Sequence, residues 1–596
     1  MSVTENLKAL RDLMSQEKID FYVVPTSDYH SSEYVGDHFR AREFLSGFTG
    51  SNGTLLVTAD HAALWTDGRY FLQAEEQLKG TGIELMKMRR PGVPALHEYI
   101  ANNLKKDQTL GFDGRTFSVF EGKQLEDAAT QAGAHIKYDL DLVSSIWKER
   151  PALSCKPVSV LDVKYTGRSA ADKLSDIRNI MKEKDCEYHI VTSLDDIAWI
   201  LNLRGSDVAC NPVFLSYLVI SCGTSILFIQ ENALTDDVRS YLSQLGIETK
   251  PYDSIYEYAS SGAFKGKNLL IDTNRLNFLL YSILADSSVL KEEQNPSVIM
   301  TACKNPTEAE NIRTANNIDG AAMVKFLHWL DKNIGKTKIT EISASEKLEQ
   351  FRSEGEGFMG ISFETIAGYN AHGAIIHYEP TAETDVELRP EGFLLVDSGA
   401  QYLWGTTDIT RTIALGESTD EMRHHYTMVL RAHIDLAMAH FPEGVSGANL
   451  DMLARAPFWA EEMDYEHGTG HGIGYFLNVH EPPASIFWST ARKACTIPLK
   501  EGMLLSDEPG IYIEGQYGIR IENDLMVMKG NKNVYGQFMY FEPMTLCPYD
   551  LRPVNFDELT DAQIRFIDDY HAIVKERLIP YLDDDCIEWL INATVH

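Results

Sequence analysis

The chain has 596 residues, 44% hydrophobic and 24% charged, the make-up of a soluble globular protein that is too long for one core. Its 54 Lys and Arg stand against 87 Asp and Glu, a net charge of −33. That excess repels phosphate backbones and anionic bilayers, which argues against nucleic-acid and membrane partners.

The eight cysteines are scattered and form no CxxC. This argues against a disulfide framework or a thiolate zinc site, and for a reducing, cytoplasmic location. At the N-terminus Leu7, Leu10 and Met14 recur at helical spacing among charges, predicting an amphipathic helix rather than a signal peptide. Two stretches then read as distant copies of one unit. FYVVPTSD followed by FLSGFTGSNG spans Phe21–Gly53, and YHIVTSLDD followed by WILNLRGSD spans Tyr188–Asp207. Each has a β-branched strand, a Thr-Ser turn carrying Asp, and an apolar run closing on Gly-Ser. Strands follow at Thr54–Thr58 and Ala62–Thr66 in the first copy, and at Leu215–Ser221 and Ile226–Ile229 in the second.

The apolar run Val213–Ile229 is too short for a membrane span and is broken by Ser221, Gly223 and Ser225, so it reads as two buried strands around a turn. Alternating strands and helices imply α/β units. Prolines punctuate the chain near 148–157 and 295–305, giving domains 1–154, 155–302 and 303–596. Thr307 and Glu310 have capping-box spacing, and Ile312, Ala315, Ile318, Ala322, Phe326, Leu330 and Ile334 continue a helical stripe behind them.

The third domain holds the chemistry. FLLVDSGAQYLWGTTDITRT places Asp397 and Asp408 eleven residues apart, each at the polar edge of an apolar run. Read as antiparallel strands turning near Tyr402–Leu403, they put the two carboxylates roughly opposite one another. Two ionised carboxylates that close require a shared proton or an intervening cation. His471 in HGTGHGIG, Glu508 in SDEPG and Glu522 in GIRIEND are three more ligand-type side chains. Four carboxylates and one imidazole suit a pair of hard or borderline divalent ions. The glycines around His471 exclude a stable helix and let backbone approach closely. His467 and His471 are four apart, but not in the helical HExxH arrangement. SDEPGIYIEGQYGIRIEND reads as a strand ending at Glu508, a Pro-Gly turn and two further strands. In the last of these Arg520, Glu522 and Asp524 share one face. Arg520 there either holds a carboxylate in place or makes an ordinary strand salt bridge.

The ordered set VDSGAQY, GTTDITRT, HGTGHGIG, NVHE, DEPG and GIRIEND resembles the pita-bread metallopeptidases, which include methionine aminopeptidases, prolidases, creatinases and aminopeptidase P. GAIIHYEP, LDDIAWILNLRGSDV, NPVFLSY and FTGSNGTLLVT…LWTDGRYFLQA point to three-domain aminopeptidase P. The resemblance runs from about residue 20 to the C-terminal WLINAT. It implies an α/β and α+β fold, with two creatinase-type N-terminal domains followed by a pita-bread catalytic domain. It also implies that Asp397 chelates one metal, that His471 and Glu508 bind the other, and that Asp408 and Glu522 bridge the two with a water or hydroxide.

The metals implied are two Mn²⁺, with Co²⁺ or Zn²⁺ as substitutes, and the ligand set agrees with manganese. The activity implied is hydrolysis, by a metal-activated hydroxide, of the bond between the first residue of a peptide and a proline in second position. Glu508 handles the proton, while His377, His467 and His480 line the substrate site; His372 is left unassigned. The scissile bond is a tertiary amide without an N–H, so packing around the proline ring supplies selectivity. Tyr378 and Tyr512 are aromatic neighbours of the histidines, with core packing as the plainer reading of each. Where the family commonly has NVHEGP, this chain has NVHEPP with Pro482, which stiffens the loop beyond His480. The resemblance also implies a homodimer. The alternatives are a prolidase restricted to dipeptides, and a pita-bread peptide or protein binder without catalysis.

Overall fold

In the structure, a computed structural model, residues 2–491 and 493–595 are described. The chain forms two compact units, residues 1–163 with 168–297, and residues 164–167 with 298–596.

The first unit opens with helix α1 (Val3–Glu17), capped by Ser2 and burying Leu7, Leu10 and Met14, as their spacing predicts. Two six-stranded sheets follow. The first comprises β1 (Phe21–Pro25), β2 (Thr54–Val57), β3 (Ala62–Thr66), β4 (Glu84–Lys87), β5 (Thr109–Phe112) and β6 (His135–Lys137), ordered β4-β3-β2-β1-β5-β6. The second comprises β7 (Tyr188–Val191), β8 (Ser216–Ser221), β9 (Ser225–Ile229), β10 (Ile247–Pro251), β11 (Asn268–Ile271) and β12 (Val289–Glu292), ordered β10-β9-β8-β7-β11-β12.

Strand directions match as well as order. The central strand of each sheet runs antiparallel to its hairpin neighbour and parallel to the strand on its other side. The repeat in the sequence is therefore a repeated sheet. The apolar stretch ending at Ile229 is the antiparallel pair β8–β9, with Ile220 facing Ser225 across the turn. His30, fully buried, joins the two halves. Its ring contacts the Thr192 carbonyl at 2.8 Å and the Tyr252 hydroxyl at 2.6 Å.

The long helix of the second unit, α2 (Pro306–Asn333), starts before the Thr307 cap that the sequence predicts. The N-cap is Asn305, whose Oδ1 accepts from Thr307 N and Glu308 N, and Glu308 closes the capping box. Thr307 and Glu310 already lie inside the helix. Pro306 at N1 has no N–H to satisfy, which favours the residue before it as cap.

Behind α2 lie β13 (Ile366–Tyr369), β14 (Phe393–Ser398) and β15 (Ile409–Ala414), in one antiparallel sheet with β14 central. A second sheet holds β16 (His440–Pro442), β17 (Gly470–Gly472), β18 (Glu481–Ile486), β19 (Leu504–Asp507), β22 (Asn523–Asn533) and β23 (Gly536–Pro543), in the order β16-β23-β22-β19-β17-β18. A separate hairpin of β20 (Gly510–Ile513) and β21 (Tyr517–Arg520) lies between β19 and β22 in the chain. Helices α3 (Asp420–Ala437), α4 (Gly447–Trp459) and α5 (Asp561–Leu578) contribute to the apolar core of this unit through residues such as Leu430, Ala454 and Ile567.

Candidate metal centre

The site is assembled from strand ends. Asp397 is the fifth residue of β14, and Asp408 immediately precedes β15. Their relation is not face to face, because Asp397 pairs with Thr410 and Ser398 with Ile409. Asp408 is two residues before Thr410, so the carboxylates share a face as diagonal neighbours. The chain between them turns through a short hairpin in which Tyr402 faces Gly405, close to the predicted turn. That hairpin belongs to a different sheet with Phe358–Ile361.

GIRIEND also departs from a single strand. β21 ends at Arg520 and β22 begins at Asn523, leaving Glu522 in the break between two sheets. This break turns the Glu522 carboxylate toward Thr410, whose hydroxyl donates to its Oε2 at 2.6 Å. Alternation along β15 puts Thr410 on the face of Asp408, a signal present in the sequence that marks a residue the motif reading passed over. Asp524 lies beside the group, with its Oδ2 3.3 Å from the backbone N of Asp408.

His471 comes from β17. A Cβ at Gly470 would run into the Ser506 carbonyl of the adjacent chain, so only glycine permits this approach. His471 N donates to Ser506 Oγ at 3.0 Å, and Ser506 Oγ in turn donates to Glu508 Oε1 at 3.1 Å. Ligand-type atoms of Asp408, His471 and Glu522 all lie within 4.8 Å of one another. His471 Nε2 is 3.5 Å from Asp408 Oδ2 and 3.5 Å from Glu508 Oε1. Asp397 is turned toward Arg520, whose Nη2 donates to its Oδ2 at 2.6 Å. Asp397 Oδ1 is buried and has no hydrogen-bond partner among the described residues.

The electrostatics are those of crowded acids. Burial, then Asp397, Asp524 and Glu508, push the Asp408 carboxyl well above its usual range. Burial, then Asp408 and Glu508, do the same to Glu522. Glu508 is pushed up to about 7 by burial, a shift that Arg520 opposes and Asp397 reinforces. A cation among these oxygens removes the repulsion. The orphaned Asp397 oxygen, the three convergent ligand atoms and the nitrogen-plus-oxygen donor set fit divalent ions.

The histidines separate into groups. His480 packs edge-on against His471, with ring centroids 4.3 Å apart. His467 Nε2 lies 2.8 Å from the Tyr512 hydroxyl, which also accepts from Arg520 Nη1 at 2.7 Å. Tyr512 thus joins His467 to the cation that holds Asp397. His377 is half-buried, one residue beyond the Ile376 carbonyl that lies 3.5 Å from Arg520 Nη2. His372 and Tyr378 belong elsewhere, in a network on the buried Glu341, at 2.8 and 2.9 Å. Glu481, between His480 and Pro482, forms an ion pair with the buried Lys304.

A fold of this kind with clustered acidic and imidazole ligands defines a metallopeptidase class. The profile for metallopeptidase family M24 matches residues 310–529, and its C-terminal region matches 537–596. Creatinase/prolidase N-terminal domain profiles match residues 6–138 and 149–308.

Among curated relatives, the Xaa-Pro aminopeptidase 1 of Dictyostelium discoideum is 38% identical, over 99% of this chain and 96% of its own. The aminopeptidase P2 of Arabidopsis thaliana is 39% identical, over 99% and 88% respectively. The solved structure of an X-prolyl aminopeptidase from Caenorhabditis elegans, described as a cytosolic enzyme with a di-nuclear active site, superposes with a TM-score of 0.95. It is 33% identical, and the match covers all of both chains. The chain belongs to the aminopeptidase P family of M24 metallopeptidases.

Proposed function

We propose that this protein is a metal-dependent Xaa-Pro aminopeptidase, removing the first residue of peptides whose second residue is proline. The observation that carries the reading is the convergence of Asp408, His471 and Glu522 within 4.8 Å. Asp397 and Glu508 border that cluster, with Glu508 3.5 Å from His471. In this reading Asp397 would hold one ion, His471 and Glu508 would hold the other, and Asp408 and Glu522 would serve both. Mn²⁺ is the metal we assign, from one nitrogen among oxygens and no thiolate. Two bound dications supply an acidified water and polarise the scissile carbonyl.

The protein's own groups do the rest. Glu508 carries the proton from the nucleophile to the leaving nitrogen. His377, His467 and His480 orient the peptide, and Tyr512 fixes the ring of His467 from its Nε2. Arg520 holds Asp397 in a defined rotamer through its 2.6 Å bond. The doubled sheet of the first unit favours an aminopeptidase of this type over a prolidase with a single N-terminal domain.

We further assign domains 1–154, 155–302 and 303–596, a cytoplasmic location and a homodimer. Among the described residues no helix is long and apolar enough to cross a membrane. The dimer reading is supported by α4, which exposes Met452, Leu453, Ala456 and Trp459, an apolar face of the kind that associates.

The decisive experiment compares hydrolysis of Gly-Pro with that of Arg-Pro-Pro, using metal-free protein reconstituted with each ion in turn. Release of arginine from the tripeptide that depends on added metal is the expected result. Cleavage confined to the dipeptide overturns the assignment in favour of a prolidase. An intact fold without metal-dependent turnover overturns it in favour of a binder.

A further inference from the structure

The ligand-bearing strand ends have a second side. β19 and β22 pair antiparallel with Asp507 facing Asn523, so these two residues flank Glu508 and Glu522 and point away from them. Both are fully buried, and so are Arg411, His433 and Tyr549, which meet them. Arg411 Nη2 donates to Asn523 Oδ1 at 2.8 Å. Because guanidinium can only donate, the amide of Asn523 is oriented, and its Nδ2 donates to the Tyr549 hydroxyl at 3.0 Å. That hydroxyl lies 2.9 Å from His433 Nε2. His433 Nδ1 lies 3.1 Å from the Asp507 carbonyl and 3.2 Å from its carboxylate. The carbonyl acceptor on the Nδ1 side places the proton there, which leaves Nε2 to accept from Tyr549. The chain of donors thus runs one way, from the Arg411 guanidinium to the Asp507 carbonyl.

The same Arg411 grips the ligand backbone directly. Its Nη1 donates to the Glu522 carbonyl at 2.7 Å and to the Thr410 carbonyl at 3.0 Å. We propose that Arg411, Asn523, Tyr549, His433 and Asp507 form a positioning network that sets the spacing of Glu508 and Glu522, and through it the affinity for the second of two divalent ions. This rests on the two-metal reading above. Among the described residues, none of the five hydrogen-bonds the carboxylate of Glu508 or Glu522, which accept from Ser506 and Thr410. Their effect is exerted through the backbone on either side of the two glutamates.

Tyr549→Phe removes the middle link. It keeps the ring that stacks on Tyr570 at 4.8 Å and lies 4.9 Å from the Arg411 guanidinium. His433→Leu removes the next link. Ile434→Val, on the same helix and equally buried, is the control for loosened packing. Full-length metal-free protein is titrated with Mn²⁺ by calorimetry, and the electron paramagnetic resonance spectrum is recorded at two equivalents.

Wild type and Ile434→Val are expected to take up two ions as an exchange-coupled pair. Tyr549→Phe and His433→Leu are expected to bind the second ion about tenfold more weakly or worse and to show isolated Mn²⁺. If His433→Leu does not fold, Tyr549→Phe decides. Affinity unchanged in the folded Tyr549→Phe protein overturns the network, as does an equal loss in Ile434→Val. A wild-type chain that binds no divalent ion overturns the reading of the centre itself.

Discussion

Arg520 shows how much of a buried acidic site depends on one cation. Its guanidinium bonds Asp397 Oδ2 and the Tyr512 hydroxyl while almost fully buried. Removing one member of a buried pair leaves the other as an uncompensated charge. Arg520→Met is therefore expected to destabilise metal-free protein by about 3–5 kcal/mol. If Asp397 holds a metal as proposed, the loss should be much smaller with Mn²⁺ bound, because the ion would then satisfy Asp397. Denaturant unfolding with and without Mn²⁺ measures the difference, and equal losses in both states would contradict it.

Glu508→Gln tests the proton role proposed for Glu508. Turnover is expected to fall by about 10²–10⁴, with circular dichroism and thermal midpoint otherwise those of folded protein. At this scale the sequence was informative about identity and less so about partners. Asp408 was legible at the polar edge of an apolar run, His471 among its glycines and Glu522 in the alternating GIRIEND stretch. The bond from Thr410 to Glu522 joins residues 112 apart in the chain, and no local pattern announces a contact of that range.

At the scale of elements, the proposed ligands lie at the ends and breaks of strands, except His471 in the middle of β17. A continuous GIRIEND strand would alternate Arg520, Glu522 and Asp524 along one face. The observed break hands Arg520 to the β20–β21 hairpin and Asp524 to the larger sheet, with Glu522 between. Period-two patterning survives such a break, so the sequence could not reveal it.

The start of α2 is a similar case. Thr307 and Glu310 satisfy the capping pattern, but the neighbouring Asn-Pro pair satisfies it better. Asn305→Ala is expected to cost about 1 kcal/mol, since two helix N–H groups lose their acceptor, whereas Thr307→Ala should cost far less. Equilibrium unfolding of both variants distinguishes the two caps; equal losses would restore the Thr307 reading. For the exposed face of α4, Met452→Asp with Leu453→Asp is expected to shift a dimer to monomer in sedimentation velocity. An unshifted dimer would place the interface elsewhere.

For the whole molecule, buried imidazoles set a limit on acid stability. His30 and His189 lie in the first unit, and burial lowers both below their usual value of 6.5. Their folded forms are neutral, while the unfolded chain takes up protons near 6.5. The unfolded state thus binds more protons as the pH falls through that value, and folding stability declines. Stability of the first unit is expected to be level above about pH 7 and to fall toward pH 5, by the unfolded-state pKa of about 6.5. The His189→Gln protein should show a shallower fall. A pH series of thermal midpoints for both proteins checks this, and equal slopes in wild type and His189→Gln would refute it.

What the sequence by itself determined was local in character: the amphipathic first helix, the repeated strand–turn pattern, the strand status of Val213–Ile229, and the residue types of the acidic centre. Each follows from periodicity, turn chemistry or composition within a few dozen residues. Only the tertiary structure decided that Asp397 and Asp408 meet on the diagonal, that Arg520 reaches Asp397 across 123 positions, and that Tyr378 serves Glu341 while Tyr512 serves His467. Those outcomes depend on which strand registers and sheet breaks bring distant segments together. Register is set by the simultaneous burial of many side chains, a condition that no short stretch of chain contains.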